Sequence, residues 1–214
     1  MSFQDLYVRL IEDIDYEPII DWIKKELKTH QRILDAGCGS GVILIPLTAL
    51  GYDVVGVDID TKMLAYAQQA LIEQSLPVKL FEHDLRKPLG QRFDVILLFN
   101  DVMNYFKGVK QVFKVLKQAL NPSGVILFDV YKSEYLSVMD GYVETETQPF
   151  YYRWEASVQG TILSHIIEDQ SGTYAVKQHV YPLNYYTEVL ENLGFHVQVS
   201  LGPDERKHYV KASL

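Results

Sequence analysis

The residues that first suggest chemistry form a glycine-rich loop between two apolar runs. The loop reads Asp35-Ala36-Gly37-Cys38-Gly39-Ser40-Gly41, and the second apolar run ends on Asp58, 17 residues after Gly41. Glycine permits positive φ and lets backbone amides approach a ligand closely. An aspartate at the end of the next strand can accept hydrogen bonds from two ribose hydroxyls. Together these features predict a site for a nucleoside cofactor.

The spacing of the glycines separates two classes of nucleoside cofactor. The dinucleotide fingerprint is G-x-G-x-x-G, whose third glycine lets the helix pack tightly on the strand. Here the spacing is G-x-G-x-G, and Val42 stands where the third dinucleotide glycine belongs. The spacing therefore speaks against a nicotinamide dinucleotide, and an oxidoreductase on a similar sheet is the second hypothesis.

Strand and helix patterns alternate around this loop. Near-continuous apolar strands, with helical patterns between them, are typical of a parallel sheet covered on both faces. Five such strands are RILDAG, YDVVGVDI, PVKLFEHD, FDVILLFND and VILFDVY, and FHVQVSLG and HYVKASL add two closing strands. We expect an α/β fold with a Rossmann-like, doubly wound, mostly parallel seven-stranded sheet.

Two segments extend this core, and we expect all of them to form one domain over residues 1–214. A helical cap is expected over about residues 1–28, and an antiparallel β insertion over about 141–182. Three strands are predicted in the insertion, joined by hairpin turns at Gln159-Gly160 and Ser171-Gly172. Thr61 is the predicted N-cap of the helix TKMLAYAQQALIEQ.

The run ILDAGCGSG closely resembles the first motif of class I S-adenosylmethionine-dependent methyltransferases. VVGVDID, FEHDL and FDVILLFNDVMNYF resemble the second, third and fourth motifs in order and spacing. The start, LYVRLIEDIDYEPIIDWI, is similar to that of a group of small bacterial methyltransferases of this class, as is the D-x-x-N-Y pattern at 101–105. The resemblance implies a class I methyltransferase domain that uses S-adenosylmethionine.

The resemblance also implies the cofactor-binding residues. Asp58 would bind the ribose, Ile59 and Met63 would lie beside the adenine, and the N-terminal segment would fold over the cofactor. Cys38 is interpreted as a small loop residue, because no second cysteine or adjacent base supports a nucleophile. The expected set is Tyr7, Asp35, Ala36, Gly37, Cys38, Gly39, Gly41, Asp58, Ile59, Met63, Asp84, Leu85 and Asn100.

The fourth motif is expected to face the methyl acceptor. Asp101 is the first candidate for a general base or substrate anchor, and Tyr105 is the second. Methyl transfer from a sulfonium is a direct displacement that depends on alignment, so a base is optional. Two alternatives stay open: Asp101 as a helix N-cap, and Tyr105 as aromatic packing above the cofactor.

Aromatic residues are concentrated in and around the insertion. Nine of the 15 tyrosines lie between Tyr131 and Tyr186, where they could line an acceptor pocket or simply pack a sheet. The candidate substrate-binding residues are Asn104, Tyr131, Tyr151, Tyr152, Arg153 and Tyr181. His165 and His179 could also reach the site, although a histidine in a strand is more often structural. An exposed strand edge allows a homodimer as well as a monomer.

Composition narrows the class of function. With 28 acidic and 20 basic residues the net charge is −8, which disfavours nucleic acid as a partner. A single cysteine, the lack of a signal-peptide pattern and the lack of a long apolar run predict a cytoplasmic protein without a membrane segment. No metal site is predicted.

The expected function is methyl transfer to a nitrogen or oxygen atom of a small molecule. The alternatives are methylation of a protein or RNA, and a cofactor-binding regulatory protein without transferase activity.

Overall fold

The computed structural model describes residues 2–214 and is built around a seven-stranded sheet. Its strands are β1 (Arg32–Ala36), β2 (Asp53–Asp58), β3 (Leu80–Glu82), β4 (Phe93–Leu98), β5 (Leu120–Tyr131), β10 (His196–Ser200) and β11 (Lys207–Ser213). They are arranged in the order β10-β11-β5-β4-β1-β2-β3. The first five run parallel, whereas β11 is antiparallel to both of its neighbours. The predicted mixed, mostly parallel sheet is confirmed.

Helices cover both faces of this sheet, which explains why its strands are apolar on both sides. The helices are α1 (Phe3–Leu10), α2 (Glu17–Lys24), α3 (Leu44–Ala49), α4 (Thr61–Glu73), α5 (Lys110–Gln118), α6 (Tyr135–Met139) and α7 (Leu183–Asn192). Neighbouring residues of β1 point to opposite faces: Ile33 packs with Ile23 of α2, and Leu34 belongs to the core under Phe113 of α5. None of the described helices is long and apolar enough to cross a membrane.

A second, antiparallel sheet lies within the segment predicted as an insertion. It contains four strands in sequence order, β6 (Val143–Glu146), β7 (Tyr152–Gln159), β8 (Ile162–Asp169) and β9 (Gly172–His179). The prediction of three strands was wrong because its first strand is interrupted at the cis Gln148-Pro149 bond. Proline cannot donate a ladder hydrogen bond, so the chain leaves the sheet there and returns as β7.

Two local predictions also need correction. Asp60, rather than Thr61, caps α4, since its carboxylate accepts hydrogen bonds from the Lys62 and Met63 amides at 2.9 and 3.1 Å. β5 begins at Leu120, five residues before the predicted strand VILFDVY, and residues 121–124 lie inside β5 where its pairing with β4 is irregular. Ser123 there adopts a φ of 64°.

Candidate active site

A cavity of about 420 Å³ opens beyond the carboxyl ends of β1, β2 and β4. Strand order reverses between β1 and β4, where ligands of open α/β sheets bind. Of the predicted site residues, the cavity is lined by Tyr7, Gly37, Cys38, Gly39, Asp58, Ile59, Met63, Asp84, Leu85, Asn100 and Tyr105. Residues that the sequence did not single out for the site include Phe3, Gln4, Ile11, His83, Arg86 and Phe99.

The glycine loop is held close to the sheet by its own backbone. The amides of Gly37 and Cys38 donate to the carbonyl of Val57 at 2.8 and 3.0 Å. Gly37 has a φ of 83°, and a Cβ there would lie 2.8 Å from the side chain of Val102, so a larger residue would displace the turn. Burial raises the pKa of the Cys38 thiol, which is consistent with a structural rather than a nucleophilic cysteine.

Asp58 joins the loop to the start of α4. One of its carboxylate oxygens accepts the Gly39 amide at 2.8 Å and the other accepts the Asp60 amide at 2.9 Å. These two bonds fix the plane of the carboxylate at the cavity wall. Because each oxygen can accept a second bond, the geometry is suited to a diol such as a ribose.

Three predicted residues lie behind the loop and do not line the cavity. Ala36 is fully buried, and Gly41 is packed against Ile45 and Ala67. Asp35 is 3% exposed, and its Oδ2 atom has no hydrogen-bond partner among the described residues. Burial, followed by the negative charge of Asp58, raises the pKa of Asp35 to about 7. An unpaired buried carboxylate is costly, and a positively charged group bound in front of the loop would offset part of that cost.

The far end of the cavity is formed by the loop after β3. Arg86 pairs with Asp84 through both carboxylate oxygens at 2.9 Å, and its hydrogen bond lowers the pKa of Asp84 to about 2. Leu85 is buried beside this pair. Ile59, by contrast, exposes 61% of its surface and offers an apolar face to the cavity.

Asp101 belongs to a buried ion cluster that the sequence did not reveal. Lys207 donates to Asp101 at 2.9 Å and to Asp129 at 3.2 Å. The other oxygen of Asp101 accepts the side-chain amide of Gln178. Burial opposes the charge on Lys207, but Asp101 and Asp129 outweigh it and raise its pKa well above the ordinary value. Complete burial raises the pKa of Asp129 despite the nearby lysine.

Asp101 does stand at the N-cap position of the 3-10 turn Val102–Tyr105, but its side chain makes no capping bond there. Asn100 and Asp101 instead adopt φ values of 60° and 57°, and both of their amides donate to Asp129. This left-handed pair turns the chain sharply at the end of β4. Asp101 is therefore held beside the cavity rather than among its lining residues.

The tyrosine hydroxyls near Asp101 are uncharged. Tyr105 lines the cavity and is 48% exposed. Burial, then the charge of Asp101, raises the pKa of Tyr105 well above its usual value, and the same causes raise that of Tyr7. These hydroxyls can donate or accept hydrogen bonds, but they do not supply an anion near neutral pH.

The predicted substrate residues do not converge on the cavity. Asn104 is fully buried and is used internally: its amide donates to the His179 carbonyl at 3.0 Å, and its oxygen accepts the Tyr131 amide at 3.2 Å. Asn104 thus ties the 3-10 turn to β5 and β9. Its placement in a substrate pocket is a prediction that the geometry does not favour.

The remaining candidates are also engaged elsewhere. Tyr152 donates to Glu144, Arg153 pairs with Glu155 on an exposed surface, and Tyr181 donates to the Lys107 carbonyl. Tyr151 is partly buried and lies outside the cavity lining. Tyr131 comes closest to the site, since its ring lies 5.0 Å from the Lys207 ammonium.

Comparison with known proteins agrees with this geometry. The family described as "Methyltransferase domain" matches residues 33–124. "Putative methyltransferase YqeM" of Bacillus subtilis (strain 168) is 31% identical over 212 residues, covering 91% of this chain and 85% of that protein. The chain belongs to the class I S-adenosylmethionine-dependent methyltransferases.

Solved structures share the fold over the whole length of the chain. An S-adenosylmethionine-dependent methyltransferase from Clostridium acetobutylicum has a TM-score of 0.82 at 21% identity, covering 99% of this chain and 97% of that chain. CalS10, an amino pentose methyltransferase from Micromonospora echinaspora solved with S-adenosylmethionine, has a TM-score of 0.78 at 20% identity, covering 100% and 98%. The predicted class, fold and cofactor are confirmed.

Proposed function

We propose that this methyltransferase acts in the cytoplasm on a nitrogen or oxygen atom of a small molecule, with an amine nitrogen as the favoured acceptor. The observation that carries the proposal is the cavity at the strand ends, where the glycine loop and Asp58 meet the uncharged hydroxyls of Tyr7 and Tyr105. CalS10, whose fold is similar, acts on an amino pentose, which supports an amine acceptor.

The residues present fit the cofactor. Asp58 would hold the ribose, Ile59 and Met63 would hold the adenine, and the methionine part would lie along the backbone of the loop at Gly37 and Gly39. Asp35 lies behind the loop with one unpaired oxygen, and its negative charge, when present, would favour the ammonium group of the methionine part. When bound, S-adenosylmethionine supplies a methyl group already activated on a sulfonium.

The protein's own contribution is to enclose the reacting groups and to align them. Helix α1 places Phe3, Tyr7 and Ile11 over the cavity, where they would exclude water. Alignment of the reacting atoms alone can contribute about 7–11 kcal/mol to lowering the barrier. Neutral Tyr7 and Tyr105 would orient an amine through hydrogen bonds, and the negative charge of Asp101 nearby would favour a proton leaving the methylated nitrogen.

Calorimetry with S-adenosylmethionine, S-adenosylhomocysteine and NAD tests the cofactor part. We expect both sulfur nucleosides to bind and NAD not to bind. Asp58→Ala should weaken binding by about 1–3 kcal/mol, because the hydrogen-bond acceptor for the ribose hydroxyls is lost. Asp53→Asn, at the exposed start of the same strand, is the matched control and should bind normally.

A transfer screen tests the acceptor. Labelled S-adenosylmethionine is incubated with panels of small amines, hydroxy compounds, peptides and RNA. Transfer to amines or hydroxy compounds supports the proposal, whereas transfer only to peptides or RNA contradicts it. Tight cofactor binding without transfer to any panel would favour a regulatory protein instead.

A further inference from the structure

On the basis of the proposed function, we propose that Gln178 is a positioning residue for methyl transfer. A one-directional hydrogen-bond chain, Trp154–His165–Gln178, holds its amide against Asp101 and Tyr105. The chain begins in the antiparallel sheet and ends at the acceptor side of the cavity. None of its three members is a candidate for contact with the cofactor.

The direction of every bond in this chain is fixed by its two ends. The indole N–H of Trp154 can only donate, and it lies 3.0 Å from Nδ1 of His165. Nδ1 must therefore accept, which places the ring hydrogen on Nε2. Nε2 lies 3.2 Å from Oε1 of Gln178, so it donates there and leaves the Gln178 NH2 group to donate to Asp101. A carboxylate only accepts, so the chain closes with no donor facing another donor.

The amide of Gln178 serves two groups at once. It donates to Asp101, and it also lowers the pKa of the nearby Tyr105 hydroxyl against the stronger effect of burial. Tyr105 lines the cavity. Lys207 holds the second oxygen of Asp101 from the opposite side at 2.9 Å. Which atom of the Gln178 amide faces Asp101 and acts on Tyr105 thus depends on the orientation of that amide, and His165 determines the orientation.

The hydrogen-bond chain is buried at positions where apolar side chains would cost less free energy on folding. Gln178 and His165 are 4% and 8% exposed, and their neighbours on β8 are Leu163 and Ile167. Buried polar groups cost free energy unless every hydrogen bond is made, so a reversed direction of any one bond in this chain would be destabilising. Folding alone would be served by aliphatic side chains, which points to a role at the site.

Protonation of His165 would break the chain. A second ring hydrogen would appear on Nδ1 and face the Trp154 donor. The charged group that acts on His165 is Asp101, and its other polar neighbours, Trp154 and Gln178, are uncharged. Burial outweighs the attraction of Asp101 and lowers the pKa of His165, so the neutral tautomer persists near neutral pH.

Trp154→Phe tests this chain, because it keeps the aromatic packing and removes only the fixed donor. Trp22→Phe is the matched control, since Trp22 donates its N–H to the Leu201 carbonyl and takes no part in the chain that ends at Gln178. Long-range ¹H–¹⁵N spectra report the His165 tautomer, and ¹³C-labelled tyrosine spectra report Tyr105, assigned with Tyr105→Phe. Both are recorded with S-adenosylhomocysteine bound and without acceptor.

We expect the wild type to carry the hydrogen on Nε2, and Trp154→Phe to mix the two tautomers and shift the Tyr105 signals. Trp22→Phe should change neither. With an acceptor from the screen, Trp154→Phe should lower kcat by about 3–10-fold, the effect of one hydrogen bond, while the KM for S-adenosylmethionine stays within about twofold. The acid limb of kcat should also move in this variant.

Two outcomes would overturn the proposal: a wild-type His165 with its hydrogen on Nδ1, or Tyr105 signals that do not respond to Trp154→Phe. Both readouts are independent of the acceptor. Failure of the proposed function would appear separately, as absence of cofactor binding or of methyl transfer in the wild type.

Discussion

Asp35 and Asp58 stand near the ends of neighbouring strands, and their surroundings give the two carboxylates different chemistry. Asp58 has two backbone amide donors at the cavity wall, whereas Asp35 is buried with one oxygen unpaired. Desolvation therefore raises the pKa of Asp35 to about 7. In the native state Asp35 holds its proton up to about neutral pH and carries an uncompensated charge above it.

This difference predicts a pH-dependent effect of Asp35→Asn. A carboxyl whose pKa is higher in the native than in the unfolded chain binds more protons when folded, so its contribution to stability falls as pH rises from about 4 to about 7. Above that range the wild type retains the full penalty, and Asp35→Asn should stabilise the protein by about 2–4 kcal/mol. Cofactor binding should weaken in the same variant.

Urea unfolding of the cofactor-free protein at pH 5 and pH 8 measures this effect. The gain from Asp35→Asn should be larger at pH 8 than at pH 5. Asp53→Asn, which alters an exposed carboxylate paired with Lys79, should show a small change at both. An equal gain at the two pH values would contradict the assigned cause.

At the scale of elements, the sequence predicted those features that depend on residues close together in the chain. The glycine loop, Asp58 and the alternating strands were recognisable because each depends on neighbours within a few residues. Lys207 was missed because its partner Asp101 is 106 residues away and no local signal links them. The fourth strand of the insertion was missed because Pro149 divides a β-rich run that looks continuous.

Helix α1 covers the cavity, and contacts on two sides hold it there. Its Asp5 pairs with Lys62 of α4 at 2.7 Å and accepts the Tyr66 hydroxyl. On its other side, the Arg9 guanidinium lies 3.8 Å from the ring centroid of Phe150. The helix thus bridges the main sheet's helical layer and the segment between β6 and β7.

Loss of the ion pair between Asp5 and Lys62 should loosen helix α1 over the cavity. Lys62→Met should speed dissociation of S-adenosylhomocysteine about two- to fivefold at low salt, which is the range for an exposed ion pair. In 1 M salt the wild type should approach the variant, since the pair is then screened. Stopped-flow measurements at both salt concentrations test this. Lys79→Met, which breaks a pair far from the cavity, is the control, and an equal effect of salt on both variants would contradict the prediction.

At the scale of the whole molecule, one cluster joins the two sheets. Lys207 of β11 holds Asp129 of β5 and Asp101 after β4, and Asp101 in turn accepts Gln178 of β9. Removal of a single charge would leave its partners buried and unpaired, which typically costs about 3–5 kcal/mol. Replacement of the whole set by neutral groups would leave no uncompensated charge.

Lys207→Met should therefore destabilise the protein by about 3–5 kcal/mol, and the triple variant Lys207→Met, Asp101→Asn, Asp129→Asn should recover much of this loss. Urea unfolding at neutral pH measures both. Lys211→Met on the same strand breaks only the half-exposed pair with Glu26 and should cost about 1 kcal/mol or less. If the losses of the three single substitutions simply add in the triple variant, the cluster stabilises the native state by packing and not through its charges.

If stability recovers instead, the main role of the cluster is to hold the charge of Asp101 between the two sheets. The triple variant should then fold well but transfer methyl groups poorly, because it lacks that charge.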